Sequence, residues 1–229
     1  MASPLRVAIP SYRGSRRVTA STLSPMGAVM TTRQQGPANE DNWMFPPADG
    51  WTFDQVKDLE LPFDWELVDG WIVVKGQPRF WHNDVRDGIA DALKAARTKP
   101  CRVLSEQCVM VDEQNVVKPD VIVFDPRNLD YFEVECIPTS HLTLVVEVVS
   151  PGSRRDDRVS KPAQFAAARV PCYWRVELDR DHRLTVHEYW LNADTLSYIP
   201  APLHPIHRDK LVTELPFPVQ IDLAALVGF

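Results

Sequence analysis

Residues 141–161 read HLTLVVEVVSPGSRRDDRVSK, and the first half of this stretch decides the fold. Leu142–Val149 is an apolar run rich in β-branched residues, halted by Ser150-Pro151-Gly152, which is the pattern of a buried central strand. A single acid, Glu147, interrupts it. An ionised carboxylate inside such a strand is costly unless a cation or a set of donors meets it. Glu147 therefore needs a partner. Either a metal ion supplies it, or the basic segment that follows, where Arg154, Arg155, Arg158 and Lys161 crowd together.

Working outward, two more strand-like segments, Arg102–Val111 and Val116–Phe124, are joined by a turn at Asp112-Glu-Gln-Asn115. Ahead of them Val85, Ile89, Ala92, Leu93 and Ala96 recur at helical spacing within Phe80–Arg97, and Lys99-Pro100 ends that helix. Trp65–Lys75 reads as two strands around Asp69-Gly70, the strongest short-range hairpin signal. Thr52 caps a short helix before it. Downstream, a helix is expected from Ser160 to Arg169, because Pro162 is tolerable only in a first turn. Cys172–Leu178 resumes as strand, Arg183–Leu191 and Thr195–Ile199 form a hairpin, and Phe217–Leu226 gives a last strand with a short helical end. This order predicts an α/β (α+β) fold. Its mixed central sheet is flanked by helices, with an N-terminal hairpin and a C-terminal β-hairpin extension, and it is not a repeated βαβ array.

Residues 46–229 suffice for one core and are expected to form a single domain. Residues 1–45 lack sustained periodicity and read as a disordered basic arm. Residues 1–39 hold Arg6, Arg13, Arg16, Arg17 and Arg33 and no acid; removing that +5 from the whole-chain charge of −6 leaves −11 on the remainder. The same composition suits a transit peptide or an arm that touches nucleic acid, and a natural start at Met26 or Met30 would remove it. The overall charge argues against non-specific adhesion to nucleic acid, although local patches decide partners. Cys101, Cys108, Cys136 and Cys172 form no C-x-x-C pair and read as small apolar residues of a reducing compartment, not a disulfide framework. No stretch approaches the roughly 20 apolar residues of a spanning helix, and no apolar region follows the early arginines as a secretory signal requires. A cytoplasmic protein is expected.

The chemistry concentrates on two acids. Asp120 opens the run Lys118-Pro-Asp-Val-Ile-Val-Phe124, where its carboxylate can face the neighbouring strand. With Glu147, a backbone carbonyl and waters it makes an oxygen-rich set suited to Mg²⁺ or Mn²⁺. Such an ion polarises a phosphoryl oxygen and activates water, as phosphodiester hydrolysis requires. Lys161 is placed to orient that water or to neutralise charge developing on phosphate. Other residues carry plainer readings. Asp157 is either a helix cap or a partner of Lys161, and Glu66 is either solvent-facing or part of the site. His82 reads as a packing or capping residue. His182, His187, His204 and His207 come without a cysteine pair and do not read as zinc ligands. Trp71, Trp81, Trp174 and Trp190 read as packing residues before base-stacking ones. Arg154, Arg155, Arg158, Lys161, Arg169 and Arg175 against Asp156 and Asp157 give a net +4, which suits either a phosphate backbone or a solvated loop.

Taken in order, these pieces resemble the Uma family of restriction endonucleases, bacterial members of the PD-(D/E)XK nuclease superfamily. The matching residues are Glu66-Leu-Val-Asp-Gly70, His82, Pro119-Asp120-Val-Ile-Val, Val146-Glu147-Val-Val-Ser150-Pro151, Asp157-Arg-Val-Ser-Lys161-Pro and Val170-Pro-Cys-Tyr173-Trp174-Arg-Val-Glu177. The resemblance implies a restriction-endonuclease-like fold with Asp120 and Glu147 as metal ligands, Lys161 as catalytic lysine and Glu66 as a further acid of the site. It implies a Mg²⁺ (or Mn²⁺) cofactor and cleavage of DNA. A homodimer is expected, since cutting two strands favours two sites. A non-cleaving binding or scaffold protein that keeps the fold is the alternative. Three positions depart from the pattern. Val149 stands where the superfamily places its lysine, two residues after the strand acid, and Lys161 on the next helix replaces it. Phe165 stands where a tyrosine is usual. Arg169 replaces the glycine usual before Val170, which weakens the expected left-handed helix stop.

Overall fold

The computed structural model describes residues 36–150 and 156–228. Residues 1–35 of the expected arm, and Arg154 and Arg155 of the basic cluster, lie outside the described residues. Within the arm's last stretch, Ala38 is buried and its amide donates to the Gln55 carbonyl at 2.8 Å. Trp51 Nε1 donates to the Trp43 carbonyl at 3.0 Å, so packed structure begins ahead of Trp51.

Thr52 caps α1 (Phe53–Val56), and Gln55 reaches back to accept the Thr52 amide at 3.0 Å. Strands β1 (Trp65–Val68) and β2 (Trp71–Val74) pair antiparallel across Asp69 and Gly70, whose φ values of 49° and 73° are the two positive angles that a tight hairpin turn needs. Gly70 is also required by space, since a Cβ there would sit 2.7 Å from the Gly50 Cα. Helix α2 (Phe80–Ala96) buries Val85, Ile89, Ala90 and Leu93 along one stripe.

Each of the next two expected strands is broken. Glu106, at φ 50°, separates β3 (Arg102–Ser105) from β4 (Val109–Asp112). Pro119-Asp120 separates β5 (Asn115–Val117) from β6 (Val121–Phe124). The physical reason is that each segment passes from one sheet to another, and Pro119 has no N–H to give to a ladder. After β7 (Ile137–Pro138) comes the long strand β8 (Leu142–Val148). Helix α3 (Lys161–Ala167) then leads to β9 (Cys172–Leu178), β10 (Leu184–Asn192) and β11 (Ser197–Pro200). The chain closes with β12 (Ile206–His207), β13 (Lys210–Thr213) and β14 (Val219–Asp222).

The larger sheet runs β11-β10-β9-β8-β6-β3, with β12 also on β10. Its one parallel pair is β8 with β9, and α3 is the crossover that parallel pairing demands. The smaller sheet runs β2-β1-β5-β4-β7, while β13 and β14 form a separate antiparallel pair. Along β8 the side chains alternate. Leu144, Val146 and Val148 join the core beneath α2, and Val145 joins Phe165 of α3 and Tyr173 on the other face. Glu147 has the parity of Val145 and so points toward α3. The architecture is thus a mixed α+β fold, as the element order predicts.

Two expectations change. Arg169 adopts φ 64° and makes the left-handed stop itself, with its amide donating to Ala166 and the Val170 amide donating to Phe165, both at 3.0 Å. Those two bonds satisfy the carbonyls at the helix end, which offsets the cost of a side chain in that region. The cysteine reading is overturned outright. Cys108 and Cys136 form a disulfide, because the parallel register of β4 and β7 sets Val109 opposite Ile137 and brings the two preceding residues to a Cα separation of 4.5 Å. Cys101 and Cys172 remain free thiols, and the cysteines no longer argue for a reducing compartment. Among the described residues, no helix is long and apolar enough to cross a membrane. Alkylation of the unfolded protein without reductant is expected to label two of its four cysteines by mass spectrometry, rising to four after reduction; four labels before reduction would contradict the pairing.

Candidate active site

A cleft of about 570 Å³ opens between the β2–α2 connection, the ends of β6 and β8, and the turn that leads into α3. Six acidic residues line it; Asp64 and Glu106 are exposed, and the other four are nearly covered, Glu66 at 8% exposed, Asp120 7%, Glu147 2% and Asp157 1%. Lys75, His82 and Lys161 line the same cleft. Buried acids in this number stay ionised only where cations and donors meet them, so each pairing below is a requirement of the burial.

Asp120 follows Pro119 at the point where the chain enters β6. Its Oδ2 accepts the Val148 amide at 2.7 Å, tying the start of β6 to the end of β8. His82 Nε2 donates to the Val148 carbonyl at 2.8 Å and lies 3.4 Å from the same Asp120 oxygen. Burial opposes the charge on Asp120, but His82, the Val148 amide and Lys161 outweigh it and hold the carboxyl below its ordinary range. Burial likewise works against a charged His82, and Asp120 overrides it, raising the imidazole above its ordinary 6.5. Residues 82, 85 and 89 share one helical stripe, which is why His82 turns inward with Val85 and Ile89.

Lys161 is the first residue of α3, preceded by a π-helical turn over Asp156–Ser160. That wider turn relieves Pro162, whose ring would otherwise crowd the carbonyl four residues back. It also brings Asp157 beside the lysine. Lys161 Nζ donates to Glu147 Oε1 at 2.8 Å and sits 3.4 Å from Asp157 Oδ1. Tyr173, from β9, donates its hydroxyl to the Asp157 carbonyl at 2.9 Å and fixes the turn. Burial and the nearby carboxylates of Asp157 and Asp120 push the Glu147 carboxyl well up, against the pull of Lys161. Burial also disfavours the lysine charge, yet Glu147, Glu66 and Asp157 together hold the ammonium well above the usual lysine range. Glu147 thus relies on the ammonium against it to offset what burial and the neighbouring carboxylates impose.

Glu66 reaches the cleft from β1. Its Oε1 accepts the Lys118 amide at 2.8 Å and lies 3.7 Å from Lys75 Nζ, while Lys75 Nζ donates to the Lys118 carbonyl at 3.0 Å. The two halves of the cleft are pinned to each other: Gln164 of α3 donates to Asn115 Oδ1 at 2.6 Å, and that oxygen also accepts the Asp69 amide of the hairpin turn at 2.9 Å.

The structure therefore brings Glu66, Asp120, Glu147 and Lys161 to one cleft. Arg158 does not join them; both its Nε and its terminal nitrogen donate to Glu177, at 3.0 and 2.5 Å. Sequence reasoning took His82 for a packing or capping residue and passed over Lys75. The stripe it shares with Val85 and Ile89 was the available signal for His82, whereas nothing local marks Lys75. The donor set is all hard oxygen: the Asp120 and Glu147 carboxylates and the Val148 carbonyl. Among the described residues, no group of three or more His, Cys, Asp or Glu is arranged to hold a metal ion. A cation held by two carboxylates and one carbonyl would draw its remaining ligands from water, which suits Mg²⁺, an ion that keeps much of its hydration, better than one needing a full protein cage.

The sequence pattern of a family described as "Uma2: Putative restriction endonuclease" matches residues 53–224. A solved structure titled "Crystal structure of a putative nuclease belonging to DUF820 from Anabaena variabilis ATCC 29413" superposes with a TM-score of 0.56 at 18% identity, covering 77% of this chain and 97% of that one. At that identity the likeness is one of fold. None of the curated proteins matches this chain.

The His82–Asp120 pair yields a pH prediction. Folding raises the histidine pKa, so the stabilisation is complete below the unfolded value of 6.5 and is lost as pH rises through the higher folded value. In metal-free buffer, the urea-unfolding difference between wild type and His82→Gln is expected to be larger at about pH 5.5 than at about pH 8.5. A difference that does not change with pH would contradict the pairing.

Proposed function

The chain belongs to the Uma2 restriction-endonuclease family, and from that premise we propose that it is a divalent-metal-dependent endonuclease hydrolysing phosphodiester bonds of DNA. One observation carries the reading: three carboxylates, Glu66, Asp120 and Glu147, share a cleft with a lysine ammonium that lies 2.8 Å from the deepest of them. Asp120 and Glu147, with the Val148 carbonyl, would hold Mg²⁺ or Mn²⁺. When bound, such an ion polarises a phosphoryl oxygen and makes water more acidic.

The chain's own groups do the rest. Val148 N–H and His82 hold the Asp120 carboxylate in one orientation, so it presents a fixed charge without reorganisation. Lys161 carries a permanent positive charge into a site with little access to water, where it orients the attacking water and offsets charge developing on the phosphate. Glu66, reaching the cleft from β1, would accept a hydrogen bond from that water or help to hold a second ion. The water oxygen bonds to phosphorus and gives up a proton to solvent, the bond from phosphorus to the leaving sugar oxygen breaks, and that oxygen takes up a proton from solvent. Cutting both strands takes two such sites, so two copies of the chain are expected on a duplex. A non-cleaving nucleic-acid-binding or scaffold protein that keeps the fold is the second reading, and what favours it is that Lys161 already neutralises Glu147 at 2.8 Å.

Incubation of the protein with supercoiled plasmid and Mg²⁺ or Mn²⁺ is expected to nick or linearise the DNA, with Glu147→Gln and Lys161→Met slower by about 100-fold or more. Equal cutting by all three proteins would mean a contaminating nuclease. Salt-sensitive DNA binding by a wild type that never cuts would establish the second reading.

A further inference from the structure

Three charged groups meet at the head of α3, and the site as described has one occupant too many for its chemistry. Lys161 Nζ stands at contact distance from Glu147, at 2.8 Å, and within ion-pair reach of Asp157, at 3.4 Å. The lysine side chain is 14% exposed and its two partners 3% and 2%, so little water screens any of these charges. A divalent ion on Glu147 would place like charges side by side in a region of low dielectric, where their repulsion is strong. The ammonium must then leave Glu147. Asp157 is the nearest alternative, and it is anchored separately from the lysine. Its carbonyl is held by the buried Tyr173 hydroxyl, and its side chain lies one π turn before Lys161.

We infer that Lys161 and a divalent cation are alternative occupants of Glu147, and that Asp157 is the positioning residue that keeps the ammonium inside the cleft once the cation arrives. This inference rests on the metal-dependent reading of the cleft given above. Without metal, the lysine neutralises Glu147 and keeps the fold intact around a buried acid. With metal, the same lysine is released from Glu147 but not from the site, and its charge is turned toward the phosphate. Asp157 needs no contact with substrate for this role.

The test is binding of Mn²⁺ alone, without DNA, followed by the loss of the free-ion signal in electron paramagnetic resonance. Lys161→Met removes the competitor and is expected to bind Mn²⁺ about tenfold tighter or more. Lys94→Met removes an exposed lysine of α2 that pairs with Asp91 away from the cleft, and it is expected to stay within about twofold of wild type. Asp157→Asn strands the lysine on Glu147 and is expected to weaken Mn²⁺ binding several-fold, with Asp157→Glu restoring it. Circular dichroism checks each fold, and Asp157→Asn carries the test should Lys161→Met not fold. Unchanged affinity in Lys161→Met, or equal tightening in Lys94→Met, overturns the exchange while leaving the metal site in place. Unchanged affinity in Asp157→Asn overturns the role given to Asp157. Failure of wild type and Lys161→Met alike to bind Mn²⁺ removes the metal-dependent reading and the exchange together.

Discussion

The contact between Lys161 and Glu147, 2.8 Å long and shielded from solvent, constrains how the surrounding elements are placed. A carboxylate buried near the end of a central strand tolerates no gap in its neutralisation. Removing one member of such a pair typically costs about 3–5 kcal/mol, although the intact pair adds little net stability over an apolar replacement. The parallel pairing of β8 with β9 forces a crossover, and the crossover helix begins at the lysine. The π turn sets the lysine's height, the Tyr173 hydroxyl holds the turn, and Gln164 ties the helix to Asn115 and thereby to the hairpin that carries Glu66. Packing, hydrogen bonding and charge thus converge on one carboxylate.

A second charge relay closes the other wall. His82 bridges Asp120 and the Val148 carbonyl, linking the first turn of α2 to the ends of β6 and β8. The cleft therefore lies where the broken strands pass from one sheet to the other, and Asp120 sits in the break itself. Breaks of this kind end a hydrogen-bond ladder and leave backbone groups for side chains to satisfy, here the Val148 amide for Asp120 and the Lys118 amide for Glu66. The acids are held by backbone donors on one side and by protein cations on the other. Their remaining oxygen capacity faces the cleft.

Much of this was legible in the residues because the signals were local. The β-branched run around Glu147 marks β8, Asp69-Gly70 marks the hairpin, and the spacing of Val85, Ile89 and Leu93 marks α2. Pro119 marks the start of β6, but not that the chain changes sheets there, since no local rule tells a kinked strand from two strands in different sheets. Two other features depend on long-range register. The Cys108–Cys136 bond spans 28 residues and exists because β4 and β7 run side by side. His82 meets Val148, 66 residues away, through the docking angle of α2. Asp157 was ambiguous between cap and partner because its direction is set by the π turn, which Pro162 hints at but does not specify. Arg169 shows the limit of residue preference, since the carbonyls at the end of α3 required a left-handed residue there whatever its side chain.

The account comes down to what Glu147 holds when metal is supplied. A crystal grown with Mn²⁺ and measured for anomalous scattering answers this directly. The expected result is a peak within about 2.0–2.6 Å of both an Asp120 and a Glu147 oxygen, with Lys161 Nζ moved off Glu147. A cleft without such a peak, and Lys161 still on Glu147 at saturating Mn²⁺, would contradict it.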